Sequence, residues 1–365
     1  MRAPISLKTE DCAAKPLDQA TTLPGYMYAD PAFHGFEAQA IFTRSWQLIC
    51  GAEKLAIAGD HVVAEIAGKP VILVRGDDGS LRGFFNVCKH RAGPLALTDG
   101  NARQLQCKYH GWTYTLAGQL RAAHEMQLAK DFDISCIHLD AIKVQEWEGL
   151  VFACVGEAPA FDMVFGGIRE RIQPIELTKF RFHSSIAYDV ESDWKAYVDN
   201  YLEGYHLPHV HPGLNKLLDY RQYTTNLAEW YSYQQSPLDG DQGPYTAGEA
   251  HYYFIYPNMM LNILPGRLQT NRVVPVAAGR CRVLFDYFYT DLESDAARKM
   301  IAEDFRFSDE VQKEDIGICE RVQKGLGSGV YSAGRLSPKR ESGVHHFQEL
   351  VRTAYRSALE SGDRP

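Results

Sequence analysis

Cys88-Lys89-His90-Arg91-Ala92-Gly93-Pro94 and Cys107-Lys108-Tyr109-His110-Gly111-Trp112 are the segments that decide how this chain is read. Together they give C-x-H, sixteen intervening residues, then C-x-x-H. Each follows an extended run and carries a turn-forming glycine, so two hairpin tips can bring paired ligands to one centre. Two thiolates suit the ferric iron of a cluster, and two neutral imidazoles on its other iron raise the potential above that of an all-cysteine cluster. Zinc also accepts two Cys and two His, but zinc fingers pair Cys with Cys and His with His. Here each tip holds one of each, which favours a [2Fe–2S] cluster on Cys88, His90, Cys107 and His110. Gly93 and Gly111 keep side chains away from the cluster and offer backbone N–H groups to its sulfides.

Working outward, residues from about Trp46 to Val155 read as short strands with tight turns. His61–Ile66, Val71–Arg75 and Leu81–Val87 are apolar or alternating, with turn chemistry at Gly68-Lys69 and Asp77-Asp78-Gly79, and Leu150–Val155 closes the set. The spacing predicts a small all-β domain over 45–156. Residues 156–167, rich in Ala, Pro and Gly, suit a linker. The rest mixes strands such as Val283–Tyr289 with helices over Ser192–Tyr205 and Ser294–Leu326, predicting an α+β domain with an antiparallel sheet over 157–365. Residues 1–44 are expected to pack on that second domain.

Bulk properties narrow the function. The 365 residues carry a formal charge of −8, which argues against nucleic acid as the main partner, because phosphate binding needs clustered Lys and Arg. No run reaches the length of a membrane span, and the first residues lack an apolar signal core, so a cytoplasmic protein is expected. Eight cysteines in such a chain favour metal ligation over disulfides, and the six outside the tips read as ordinary small residues.

A second constellation lies in Asp199-Asn200-Tyr201-Leu202-Glu203-Gly204-Tyr205-His206-Leu207-Pro208-His209-Val210-His211-Pro212. On a helix running to Pro208, Trp194, Val198, Tyr201 and Tyr205 share an apolar face, and Asp199, Glu203 and His206 share the other. The prolines let the chain curl, so that His206 and His211 can meet at one metal; His209 is a rival to either. Two His and one carboxylate form the facial triad of non-haem Fe(II). Farther on, Asp315 falls at helical spacing with Val311, Ile318, Cys319 and Val322, an apolar face where an unpaired carboxylate is costly. Glu314 shares a face with Glu310 and Arg321 and reads as solvated. Asp315 is thus the better candidate for the third ligand.

These motifs resemble those of the Rieske non-haem iron oxygenases, also called ring-hydroxylating oxygenase alpha subunits, over nearly the whole chain. The C-x-H…C-x-x-H pair is similar to the family's cluster motif, Glu203-x-x-His206-x-x-x-x-His211 looks like its iron motif, and Asp315 falls about where the family places its third ligand. The resemblance implies an all-β Rieske domain and a helix-grip (START-like) catalytic domain. It also implies a ring of subunits, commonly a trimer, in which electrons pass from one subunit's cluster to the next subunit's iron. Glu203 is then the bridge from His206 to the neighbour's His110, not a ligand. NAD(P)H electrons reach the cluster through a separate flavin and iron–sulfur reductase, and O₂ is the co-substrate.

Members acting on aromatic hydrocarbons typically have Asp at the bridging position, where this chain has Glu203. The run from Asn200 to His206, with Glu314-Asp315-Ile316 to Cys319-Glu320, looks more like the branch acting on quaternary ammonium compounds such as choline, betaines and carnitine. Such cations are held by aromatic faces, and Trp230-Tyr231-Ser232-Tyr233 and Tyr252-Tyr253-Phe254-Ile255-Tyr256 could supply them, although aromatic strands mostly pack a core. An oxygenase of aromatic acids is the first alternative. A cluster-bearing electron carrier or iron sensor without oxygenase chemistry is the second.

Overall fold

The computed structural model describes residues 7–214, 224–238, 245 and 247–362. The chain divides into two compact units, one of residues 42–161 and one built from residues 1–41 together with 162–365.

The smaller unit is all β. Its seven-stranded sheet comprises β1 (Gln47–Gly51), β2 (Asp60–Ile66), β3 (Lys69–Arg75), β4 (Leu81–Phe85), β5 (Gly100–Asn101), β9 (Ala141–Trp147) and β10 (Leu150–Cys154), in the order β1-β10-β9-β4-β3-β2-β5. A second sheet of β6 (Leu105–Gln106), β7 (Thr113–Tyr114) and β8 (Leu120–Ala122) carries the second tip. Ile66 pairs with Lys69, so the first hairpin turns on Ala67-Gly68, one residue earlier than the sequence reading placed it. Both residues have positive φ, at 52° and 76°, the conformation a two-residue hairpin needs. Core side chains fall into two clusters: Val71 and Leu73 join one with Val62 and Val151, while Ile72 and Val74 join the other with Cys88, Cys107, Trp112 and Tyr114. Alternation along β3 is what splits them.

The larger unit is a seven-stranded antiparallel sheet gripped by helices. Its strands are β11 (Arg181–Val190), β12 (Thr224–Leu227), β13 (Tyr231–Leu238), β14 (Gly248–Ile255), β15 (Met259–Leu264), β16 (Arg267–Ala277) and β17 (Arg280–Tyr289), in the order β11-β17-β16-β15-β14-β13-β12. The helices that matter here are α1 (Ala32–Ala40), α2 (Trp194–Tyr201), α3 (Leu207–Val210), α4 (Asp295–Gly327) and α5 (Ser342–Glu360). Ser294 caps α4 by accepting from Ala297 N at 3.1 Å, and Asp193 caps α2 by accepting from Lys195 N at 3.0 Å. α4 has 33 residues, or about 50 Å at 1.5 Å per residue.

The described residues 7–41 are built into this larger unit by a buried polar cluster. Glu37 of α1 receives Lys195 Nζ at 2.5 Å, Trp194 Nε1 at 2.6 Å and the Tyr355 hydroxyl. Lys195 is fully buried, and Asp193 at 2.8 Å is its second counterion. Nearby, Asp199 accepts from Tyr28 Oη at 2.6 Å and Gln348 Nε2 at 3.0 Å. Burial pushes its carboxyl up to about 7 despite those bonds. No helix among the described residues is long and apolar enough to cross a membrane.

Candidate metal centres

The two tips of the smaller unit are fixed by their own backbone. Cys88 N donates to Gly93 O at 2.9 Å, Cys107 N to Trp112 O at 2.8 Å, and Lys108 N to Pro94 O at 2.9 Å, which ties one tip to the other. The rings of His90 and His110 lie 4.6 Å apart, and His90 stacks on Trp112 at 4.7 Å. Cys88 Sγ lies 3.2 Å from the Tyr114 hydroxyl. Burial raises the Cys88 thiol, so its thiolate needs a neighbouring cation.

Three observations fit these residues to a two-iron, two-sulfide cluster. The donor set is two Cys and two His converging from two tips. His90 Nδ1 is buried and has no hydrogen-bonding partner among the described residues. A side chain at position 93 would place its Cβ 2.9 Å from Cys107 Sγ, so only glycine leaves room there.

In the larger unit the break between α2 and α3 shapes the second site. α2 ends at Tyr201, where Leu202 N bonds back to Val198 O and Asp199 O. The helix expected through Tyr205 therefore stops at Tyr201: Glu203 sits in the turn, and Tyr205 is 51% exposed instead of sharing an apolar face. Asp199, placed by periodicity on the polar face, is half-buried against Tyr28 and Gln348. Pro208 stands in the first turn of α3, where its missing N–H costs nothing; His206 precedes that helix and His211 follows it. This short helix folds the two imidazoles back to a ring separation of 5.0 Å.

His206, His211 and Asp315 present one donor atom each, all within 4.8 Å of one another. His211 Nε2 lies 2.9 Å and His206 Nε2 3.9 Å from Asp315 Oδ1. The other ring nitrogens face carboxylates: His206 Nδ1 meets Glu203 Oε1 at 2.6 Å, and His211 Nδ1 meets Glu314 Oε2 at 2.7 Å. A carboxylate on Nδ1 places the proton there and frees Nε2 as a metal donor. Asn200 Nδ2 donates to Asp315 Oδ1 at 2.6 Å and orients it. Burial works against a charged His211, but Asp315 and Glu314 outweigh it and raise its pKa, so the pocket attracts positive charge. The donor set, its convergence and its negative surroundings all fit a divalent iron.

His209 is exposed and outside this group. Glu314, expected to be solvated, instead supports His211. The stripe expected to be apolar holds in part: Cys319 is buried and Val311 lines a cavity, but Val322 is 46% exposed, and the buried residues of α4 also include Asp304, Ser308 and Gln312. Apolar periodicity misses such positions because their polar groups are satisfied by neighbouring side chains. Ser308 Oγ meets Tyr287 Oη at 2.9 Å, and Tyr197 Oη donates to Gln312 Oε1 at 2.6 Å.

That cavity opens beside the three donors, which are among its lining residues. Tyr197, Tyr201, Tyr252, Phe285 and Phe307 contribute aromatic walls. Of the two tyrosine-rich runs, Tyr252 lines it. Tyr233 and Tyr253 have the opposite parity, stack on each other at 4.7 Å, and Tyr233 packs under Arg171.

Comparison with known proteins finds both kinds of domain in the chain. Residues 45–133 match the Rieske [2Fe-2S] domain family, and 177–357 match the ring hydroxylating alpha subunit (catalytic domain) family. The chain is 33% identical over 363 residues to the chloroplastic choline monooxygenase of Arabidopsis thaliana, covering 94% of this chain and 85% of that one. It is 28% identical to the carnitine monooxygenase oxygenase subunit of Escherichia coli K12, covering 97% and 99%. The quaternary ammonium Rieske monooxygenase CntA, solved with its substrate L-carnitine, superposes with a TM-score of 0.83 at 28% identity, covering 95% and 99%. Naphthalene 1,2-dioxygenase from Rhodococcus shares the fold, with a TM-score of 0.74 at 17% identity over 91% and 94%. This chain therefore belongs to the Rieske-type ring-hydroxylating oxygenases, oxygen-incorporating oxidoreductases that use a [2Fe–2S] cluster and a mononuclear iron.

Proposed function

We propose that this chain is the oxygenase component of a quaternary ammonium monooxygenase, with Cys88, His90, Cys107 and His110 holding the cluster and His206, His211 and Asp315 holding the iron. The observation that carries the substrate class is the cavity wall: aromatic faces stand beside the His206–His211–Asp315 group, and Arg267, the guanidinium among the described lining residues, is neutralised by Asp304 at 2.8 Å. A quaternary ammonium has no N–H to donate and is held by such faces, at about 2 kcal/mol when desolvated. The relatives named for choline and carnitine support the same reading.

Iron at the facial triad supplies O₂ binding and activation, and the cluster supplies single electrons. The net change replaces a substrate C–H by C–OH, consumes O₂, two electrons and two protons, and releases water. Oxidation at an N-methyl group gives the demethylated amine and formaldehyde; oxidation at choline's alcohol carbon gives an aldehyde. The chain's own residues set the stage. Glu203 and Glu314 hold the protons of His206 and His211 on Nδ1, Asn200 orients Asp315, and the aromatic walls exclude water from the reacting carbon.

Glu203 has a second task in this reading. Its carboxylate already engages His206, and it accepts from the His110 imidazole of a neighbouring subunit in a homotrimer; a carboxylate can accept from two such N–H groups. Exposure of His110 in this chain and the inter-subunit electron transfer described for CntA support the arrangement. The partners are a flavin and iron–sulfur reductase fed by NAD(P)H, and the enzyme works in the cytoplasm.

The test is NADH-dependent O₂ consumption with a surrogate reductase across choline, betaines, carnitine and simple aromatic acids, with product labelling under ¹⁸O₂. Stimulation by an ammonium compound with one labelled atom in the product is expected. A doubly labelled diol from an aromatic acid would defeat the assignment, and no uptake with any compound would leave only an electron carrier. Glu203→Ala, loaded with saturating Fe(II), retains both metals and loses turnover.

A further inference from the structure

Beside its aromatic faces the cavity is lined by amides, and the bonding of two of them is incomplete in the same sense. Gln269 on β16 and Gln312 on α4 are each 2% exposed. Gln312 Oε1 accepts from Tyr197 Oη at 2.6 Å, and Gln269 Oε1 accepts from Arg267 Nη2. Arginine only donates, so the Gln269 amide cannot be turned round. In both residues the carbonyl is committed, and the amino group, Nε2, is buried without a hydrogen-bonding partner among the described residues.

We propose that Gln269 and Gln312 form a carboxylate subsite in this cavity, so that the preferred substrate is a zwitterion, a quaternary ammonium bearing a carboxylate, and not an alcohol-bearing cation such as choline. The inference rests on the reading of the cavity as a quaternary ammonium pocket. A carboxylate only accepts, and two donors without acceptors suit it. Arg267 sharpens this: Asp304 cancels its net charge at 2.8 Å, yet its N–H polarises the Gln269 carbonyl, and that strengthens the amide as a donor on its other side. The anion is thus met by dipoles aligned from a buried ion pair instead of by a bare guanidinium.

Placement along α4 gives the order of the groups. Gln312 lies three residues before Asp315, about 4.5 Å of helix rise, and Asp304 lies eleven residues before it, about 16 Å. Gln269, tied to Arg267 and through it to Asp304, is therefore set toward the Asp304 end of α4, farther from Asp315 than Gln312. The substrate's anion lies away from the iron donors, leaving the carbons near nitrogen to face them. Asn271 follows Gln269 by two residues on the same face of β16, and its Oδ1 is a buried acceptor without a partner among the described residues. It suits a substrate hydroxyl, which L-carnitine has and γ-butyrobetaine lacks.

Calorimetric titration of the anaerobic holoenzyme with γ-butyrobetaine, its methyl ester and choline tests this without turnover. The wild type is expected to bind γ-butyrobetaine at least about tenfold more tightly than the ester or choline, the discrimination of roughly one charge-assisted hydrogen bond. Gln269→Leu and Gln312→Leu each lose about tenfold for γ-butyrobetaine and less than about twofold for choline, at unchanged iron and sulfide content. Gln269→Glu sets a carboxylate against the ligand's own, so it rejects γ-butyrobetaine and keeps choline. Equal affinity of the wild type for γ-butyrobetaine and its ester overturns the subsite and leaves the ammonium pocket standing; that measurement needs no variant to fold. Binding of none of the three compounds overturns the pocket itself, and the subsite with it.

Discussion

The two candidate metal centres are held in opposite ways. At the tips of the smaller unit all four donors fall within residues 88–110, and backbone hydrogen bonds inside the tips set their geometry. In the larger unit the donors lie at 206, 211 and 315, and each is oriented by a side chain: Glu203, Glu314 and Asn200. A centre built on turns is carried by local conformation and tolerates exposure, as His110 does. A centre built on side chains needs a buried frame that holds its supports, and here that frame reaches from α1 to α5.

The largest expected effects test whether the two centres are independent within the chain. Asp315→Ala abolishes turnover and loses the mononuclear iron while the visible spectrum of the cluster stays. Cys107→Ala bleaches that spectrum and leaves the iron of the larger unit. Iron and acid-labile sulfide counts on the two variants check both; loss of both metals in either would end the separation drawn here. Glu314→Gln comes next. It keeps the shape but weakens the acceptor for His211 Nδ1, and supporting carboxylates of this kind are worth about 10–100-fold in metal affinity. Competition against an Fe(II) chelator measures it, with the cluster spectrum unchanged.

A third effect concerns acidity. Carboxylates of the smaller unit are held low by exposed partners: Arg82, with Ser80, keeps Asp78 well below its usual range. Asp199 of the larger unit is pushed up to about 7 by burial. A carboxyl whose folded pKa exceeds its unfolded value contributes stability that is complete below about pH 4 and is lost as pH rises through 7. Asp199→Asn should therefore flatten the fall in the larger unit's melting temperature between about pH 4 and 7, followed by circular dichroism. An unchanged pH slope would place the sensitivity elsewhere. The smallest effect is Tyr114→Phe. It removes the hydroxyl beside Cys88 Sγ and lowers the cluster potential by on the order of 40 mV, about one hydrogen bond, read by redox titration.

The same contrast explains what was legible in the sequence. Cys88, His90, Cys107 and His110 stand out as candidates because tip chemistry is written in adjacent residues, and Asp315 because helical spacing turns it inward. The helix end at Tyr201 was not legible. Periodicity continues through Tyr205, and only the backbone bonds of Leu202 end it. Glu314 was hidden for a related reason. Apolar spacing along α4 does not mark Asp304, Ser308 and Gln312, which are buried through paired polar groups, and Glu314 is turned toward His211. The aromatic runs were visible as strands, but register alone decides that Tyr252 faces the cavity and Tyr253 does not.

The discontinuity of the larger unit has a practical side. Its first forty-one residues are separated from the remainder by the whole smaller unit, yet Glu37 supplies the acceptor for buried Lys195 of α2. In the smaller unit β1 and β10 are neighbours, pairing Gln47 with Ala153, so entry and exit strands run side by side. The cluster-bearing unit is therefore a cassette lodged inside a split host. Exchange between relatives should cut near 41/42 and 161/162 and carry the cassette whole, whereas a single-crossover chimera in its middle would marry each host's helix α1 to a stranger's α2.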